Sequence, residues 1–218
     1  MSLWIKICAN TSLGDALLAA EAGADAVGFV FAPSPRRVTP GQAAAIIQGL
    51  PERLEKIGAF VDTPLHDIVS AVRICGLTGV QLHAGYAPDV PARLRRELGA
   101  SLRVLRVVHF GPDASQQASA FATDANVDAV LIDSRTTTAV GGTGVAFDWE
   151  AASKTVFANG NARLIAAGGL NSSNVAEAIA TLRPWGVDVA SGVESAPGRK
   201  DPDKVRAFVA AARAAQLK

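Results

Sequence analysis

The stretch LWIKICANTSLGDALLAAEAGADAVGFVF, residues 3–31, sets a pattern that the rest of the chain repeats. It opens on an apolar β-type run, 3–8, passes through an Ala-rich helical stretch, 12–21, and returns to a second apolar run, 26–31. Ser12 is suited to cap that helix and Gly23 to stop it. Outward from here the same reading places strands over 56–61, 80–83, 102–108, 128–133, 164–168 and 187–191. Helices are expected over 40–50, 65–74, 92–98, 114–122, from near Phe147, and over 172–182 and 202–216. Val, Ile, Leu and Phe dominate the strand runs, as parallel strands covered on both faces require. Alternation with helices implies parallel pairing through right-handed crossovers. Eight such units in 218 residues predict an α/β fold, a (β/α)8 barrel. The competing architecture is an open doubly wound sheet. No linker or low-complexity block interrupts the pattern, so residues 1–218 are read as one domain.

Twenty-one Lys and Arg against 20 Asp and Glu give a net charge of +1, which argues against a strongly basic nucleic-acid binder. The hydrophobic share of 49% argues against disorder. No run reaches the ~18 apolar residues of a membrane span. The first residues lack the apolar length of a secretory leader. The two cysteines, Cys8 and Cys75, offer neither a disulfide framework nor a thiolate metal cluster. The expectation is a cytoplasmic protein with a small-molecule ligand and no nucleic-acid or membrane partner, as a monomer or homodimer.

Barrel sites lie at the carboxyl ends of the strands. Polar residues collect there: Cys8 after the first strand, Arg36 and Arg37 in a Pro-constrained loop after the second, His83 after the fourth, Asp133 at the end of the sixth. Gly168 and Gly169 follow the seventh strand, and Ser191 and Gly192 the eighth. Glycines before a helix let an anion approach backbone N–H groups, and loops after strands seven and eight often form a phosphate site. The alternative is that they only permit tight turns. Gly142, in a Gly-rich segment after strand six, could add a third wall or a mobile flap. Cys8 and Asp133 are the acid–base candidates. A thiolate near cations can act as a base, and an Asp against apolar walls can donate a proton. A lone Cys is otherwise a small buried apolar residue, and Asp133 otherwise a cap or a salt-bridge partner. Arg36 could grip a carboxylate through two parallel hydrogen bonds, or be a solvated surface charge. Cys75 ends a helix on the far side of the fourth strand and reads as structural. His83 has no second histidine and carboxylate nearby, so no metal is expected.

Taken in order, several segments resemble the phosphoribosylanthranilate isomerases. They are Lys6-Ile7-Cys8, residues 23–31, Ser34-Pro35-Arg36, Val80-Gln81-Leu82-His83, Gly141-Gly142-Thr143-Gly144 with Phe147-Asp148-Trp149, residues 167–171, and residues 187–194. The resemblance implies a cofactor-free Amadori rearrangement in tryptophan synthesis. Under it, Asp133 is the general acid, Cys8 the general base and Arg36 the holder of the anthranilate carboxylate. Gly142, Gly168, Gly169, Ser191 and Gly192 hold the phosphate, and His83 and Asp188 border the sugar. Two positions depart from the family pattern: Ala9 and Ala84 stand where the family usually has Gly, which opens the loop detail around the sugar to change. Other readings are a metal-dependent epimerase, for which no ligand set can be assembled, an indole-forming synthase, for which Lys6 would be the strand-end lysine, and a non-catalytic phosphate-binding barrel.

Overall fold

A computed structural model describes residues 2–83, 85–134, 148–158 and 162–216. Eight parallel strands close on themselves: β1 (Trp4–Ile7), β2 (Ala26–Val30), β3 (Glu55–Phe60), β4 (Gly79–Leu82), β5 (Arg103–His109), β6 (Ala129–Asp133), β7 (Leu164–Ala167) and β8 (Gly186–Val189). Closure is the pairing of β1 with β8, from Trp4 against Gly186 to Ile7 against Val189. That pairing decides for the (β/α)8 barrel over the open sheet. The helices are α1 (Leu13–Glu21), α2 (Pro40–Ile47), α3 (Leu65–Cys75), α4 (Val90–Leu98), α5 (Ala114–Ala122), α6 (Trp149–Lys154), α7 (Val175–Leu182) and α8 (Pro202–Gln216). No helix among the described residues is long and apolar enough to cross a membrane.

Strand alternation divides the apolar residues into two layers. Trp4, Ile57, Leu105, Leu131 and Ile165 fill the barrel interior. Ile5, Ile7, Val27, Phe29 and Val187 pack outward under the helices. In β1 the inward face therefore runs Trp4, Lys6, Cys8, which sends a lysine and a thiol up the barrel axis in succession.

Local chemistry explains the element ends. The Asp15 N–H donates to Ser12 Oγ at the start of α1. Thr39 and Gln42 form a reciprocal capping box with Pro40 in the first turn of α2. Gly76, at φ +70°, closes α3 in the left-handed conformation. Two expectations move. The helix expected from residue 172 begins at Val175, because the Asn171 N–H donates to Asn174 Oδ1 (2.8 Å) and Asn171 Oδ1 accepts from the Ser173 N–H (2.9 Å). These bonds hold the chain in a turn before the helix starts. After β8 the chain adds a 3-10 turn, Ser191–Val193, and a small antiparallel hairpin of β9 (Glu194–Ala196) and β10 (Arg199–Lys200), neither of which the hydrophobic pattern announces. The expected start of the sixth helix near Phe147 lies outside the described residues; α6 runs from Trp149.

Candidate active site

At the carboxyl end of the barrel lies a pocket of about 440 Å³. Cys8, Arg36, His83, Asp133, Asp188 and Ser191 all line it, together with Gln81 and the apolar Val30, Ala59 and Leu131. Residues 125 positions apart in the chain, Cys8 and Asp133, thus share one cavity because β1 and β6 end at the same rim. A larger groove of about 760 Å³ lies between α3 and α4, away from the strand ends, and is lined by exposed side chains of those helices such as Ile74 and Arg73.

Cys8 is 6% exposed. Burial pushes its thiol pKa up, the Lys6 ammonium opposes this, Asp188 adds to the rise, and the net shift is upward. The missing side chain of Gly28 defines the room it occupies: a Cβ placed on Gly28 would stand 2.6 Å from the Cys8 sulfur and 2.9 Å from Lys6 Cε. Only a bare backbone at residue 28 accommodates both groups. Ala9 has a left-handed backbone at φ +63°. The turn after Cys8 thus carries a strain of about 1–2 kcal/mol. Buried Asn10 holds it, its amide donating to the Ile7 carbonyl at 2.7 Å.

Beneath the pocket a hydrogen-bonded chain crosses the barrel. Lys6 is fully buried, and its Nζ donates to Gln81 Oε1 at 2.7 Å and to Asp188 Oδ1 at 2.9 Å. Burial alone would depress the Lys6 pKa, but Asp188 and Cys8 together raise it, so the side chain is an ammonium. An ammonium only donates, which turns the Gln81 oxygen toward it and the Gln81 amide toward His83 Nε2, 3.1 Å away. His83 Nε2 then accepts, and the ring carries its proton on Nδ1. With its ammonium committed to Gln81 and Asp188, Lys6 is not placed as the free strand-end lysine that the synthase reading would use.

Arg36 is not a solvated charge. Its Nε and Nη2 meet both oxygens of Glu194 at 2.7–3.0 Å. Glu194 is also contacted by Lys200 Nζ at 3.3 Å and by the Gly198 N–H at 3.3 Å. Burial pushes the Glu194 pKa up, but Arg36 and Lys200 bring it below the ordinary carboxylate value. The Glu194 hydrogen bond in turn raises Arg36 further. The hairpin β9–β10 carries both this acidic anchor and its lysine, paired across its two strands.

The loops after β7 and β8 are built around close approaches. Gly168 and Gly169 sit at φ +85° and +68°. A Cβ on Gly168 would lie 2.6 Å from Asp133 Oδ1 and 2.0 Å from Ser134 Oγ, so this glycine makes the room for the buried Asp133 carboxyl group. A Cβ on Gly192 would lie 1.9 Å from the Leu170 carbonyl, which brings the β8 turn down onto the β7 loop. Gly168, Gly169 and Gly192 thus form adjoining backbone next to Ser191. Gly142 and Ala84 lie outside the described residues. Gly85, which follows Ala84, has φ +97° and leaves no space for a side chain beside Asp62.

Gln81, Glu194 and Lys200 have no role in the sequence reading, which considers Lys6 only as a strand-end lysine, not as an ammonium under Cys8. Lys6 and Gln81 each lie two positions before a candidate, Cys8 and His83, so strand periodicity puts them on the same inward face. No comparable sequence signal marks Glu194 and Lys200, whose burial depends on each other.

The closed barrel and its pocket define an enzyme-type (β/α)8 barrel that receives a small molecule at the carboxyl ends of its strands. The pattern of the N-(5'-phosphoribosyl)anthranilate (PRA) isomerase family matches residues 5–211. An isomerase of that name from Pelobacter propionicus is 46% identical over 210 residues, covering 96% of this chain and 95% of that protein. One from Geobacter sp. strain M21 is also 46% identical, covering 96% and 97%. Among solved structures, the phosphoribosyl anthranilate isomerase of Thermotoga maritima superposes with a TM-score of 0.84 at 36% identity, over 97% of this chain and 99% of that one. An isomerase solved with reduced 1-(o-carboxyphenylamino)-1-deoxyribulose 5-phosphate gives 0.80 at 34% identity, over 97% and 99%. The chain belongs to the phosphoribosylanthranilate isomerase family.

Proposed function

We propose that this chain converts N-(5'-phosphoribosyl)anthranilate to 1-(2-carboxyphenylamino)-1-deoxyribulose 5-phosphate, an intramolecular aldose–ketose isomerisation of tryptophan biosynthesis, with Cys8 and Asp133 as its proton-transfer pair. The observation that carries this reading is the meeting of Cys8 and Asp133 in one pocket, within a chain that matches this isomerase family over nearly its whole length. Asp133 gives a proton to the ribose ring oxygen as the C1–O bond breaks, and the nitrogen lone pair forms the iminium. The Cys8 thiolate takes the C2 proton, and the C2–H electrons form the C1=C2 bond of an enolamine. Protonation at C1 and loss of the C2 hydroxyl proton give the ketone. No electrons leave the substrate, so the balance calls for no redox cofactor. Each proton transfer by a placed group contributes about 10²–10⁴-fold, and anchoring both ends of the substrate supplies positioning.

Arg36, oriented by Glu194, holds the anthranilate carboxylate in this reading. The backbone around Gly168, Gly169, Ser191 and Gly192, with Gly142 from the segment after β6, holds the phosphate. His83 and Asp188 border the sugar. The reading also places the protein in the cytoplasm as a monomer or homodimer; a related structure is described as monomers made from the dimeric isomerase of Thermotoga maritima. The test is direct. Purified protein mixed with phosphoribosylanthranilate, in the presence of EDTA and without nucleotide, is expected to quench the substrate's fluorescence. An unchanged signal over background would remove the assignment.

A further inference from the structure

Resting on the reading of Cys8 as the base, we propose that Lys6 is the positioning residue that favours the thiolate form of Cys8 against the burial that opposes it, through an ammonium anchored from below by Asp188 and Gln81. The argument is geometric. Lys6 and Cys8 occupy successive inward positions of the first strand, and Gly28 on the neighbouring strand leaves the space into which both the sulfur and Lys6 Cε fit. An ammonium has three N–H donors. Gln81 Oε1 and Asp188 Oδ1 take two of them at 2.7 and 2.9 Å, which leaves the third for the pocket side, where the Cys8 sulfur and Lys6 Cε lie 2.6 and 2.9 Å from the same point beside Gly28. A cation beside a cysteine stabilises its thiolate. Asp188 has two opposed effects: it keeps Lys6 charged inside the barrel, and its own negative charge disfavours the thiolate.

Among the described residues, the other charges that face Cys8 come from two further elements. Lys200 of β10 and Arg36 after β2 are cations, but both are already met by Glu194. Burial also depresses the Lys200 pKa, whereas that of Lys6 is raised. Lys6 is therefore the cation whose charge is secured next to the sulfur.

In a Cys75→Ala background, the rate of Cys8 alkylation by iodoacetamide at pH 8 reports the thiolate fraction without reference to turnover. Asp188→Asn keeps an acceptor for Lys6 and serves as the reference, because the lost charge acts on Lys6 and on Cys8 with opposite signs. Lys6→Met in that Asp188→Asn background removes the ammonium without leaving a buried carboxylate unpaired, and is expected to slow alkylation at least tenfold relative to Asp188→Asn alone. A double variant that alkylates as fast as Asp188→Asn would overturn the proposal. Lys6→Gln, which keeps a hydrogen-bond donor but no charge, carries the test if the double variant does not fold: alkylation at the parent rate would overturn the proposal. Full turnover in Cys8→Ser would instead overturn the assignment of Cys8 as the base, and the alkylation order would still report on Lys6.

Discussion

The Cys8 sulfur stands 2.6 Å from the point that a side chain on Gly28 would occupy. Cys8 and its neighbour Lys6 are therefore accommodated by the absence of one methyl group on the adjacent strand. Gly28→Ala must displace the sulfur, Lys6 Cε or the backbone of Cys8, which the same Cβ would approach to 3.1 Å. Displacement of a reacting group by about 1 Å costs roughly 10²-fold in rate. Steady-state kinetics of Gly28→Ala are expected to show a kcat loss of that order in a protein that still folds; a kcat within twofold of the parent would show that the thiol has room to spare.

Glu194 anchors Arg36 through three hydrogen bonds, at the pocket wall assigned to the anthranilate carboxylate. Glu194→Gln replaces the doubly accepting carboxylate by a single oxygen and an amide that faces the guanidinium with the wrong polarity. Arg36 then loses its fixed orientation. KM is expected to rise about tenfold or more, a loss of about 1.4 kcal/mol of binding, with a smaller change in kcat. The measurement is a full saturation curve; a fall in kcat alone would mean that Arg36 is not positioned by Glu194 for binding.

The same carboxylate makes stability depend on pH. Burial pushes its pKa up, Arg36 and Lys200 pull it down, and the folded value ends below the unfolded one. Its contribution is therefore fully present above the unfolded value of about 4.3 and is lost as pH falls through the lower folded value. Denaturation curves at pH 7 should show the parent more stable than Glu194→Gln, and the gap should narrow steadily below about pH 4.3. A gap that stays constant down to about pH 3 would contradict the ion pairing.

Ala9 carries a strain that glycine would not. Removing its β-carbon relieves about 1–2 kcal/mol of left-handed backbone cost and gives up about 0.8 kcal/mol of methyl burial. Ala9→Gly is expected to gain roughly 0.2–1.2 kcal/mol, a Tm rise of up to about 5 °C by thermal unfolding. A lower Tm would mean that the buried methyl matters more than the strain.

The barrel was legible because its signal is local and repeated. Each strand from Trp4–Ile7 to Gly186–Val189 is a short apolar run between helix caps and stops. Strand ends then pointed to one rim, and Cys8, Arg36, His83, Asp133, Asp188 and Ser191 line one pocket there. What escaped is non-local or polar. The hairpin holding Glu194 and Lys200 is two short strands with no apolar period. Helix α7 starts late because Asn171 and Asn174 satisfy the backbone ahead of it. A buried Lys6 cannot be read as an ammonium until its partners are known, and these lie 75 and 182 positions away. Ala9 looked like a departure from a glycine turn, yet the backbone adopts the left-handed conformation regardless.

The claim at the centre of this account is that Cys8 takes the substrate's C2 proton. Initial rates of phosphoribosylanthranilate turnover by Cys8→Ala, set beside Cys75→Ala, test it most directly. Cys75 is buried at the end of α3, its thiol donating to the Pro40 carbonyl far from the pocket. The account predicts a kcat loss of about 10²–10⁴-fold for Cys8→Ala and near-parental turnover for Cys75→Ala. Cys8→Ala turning over at the parental rate, or Cys75→Ala losing as much, would contradict it.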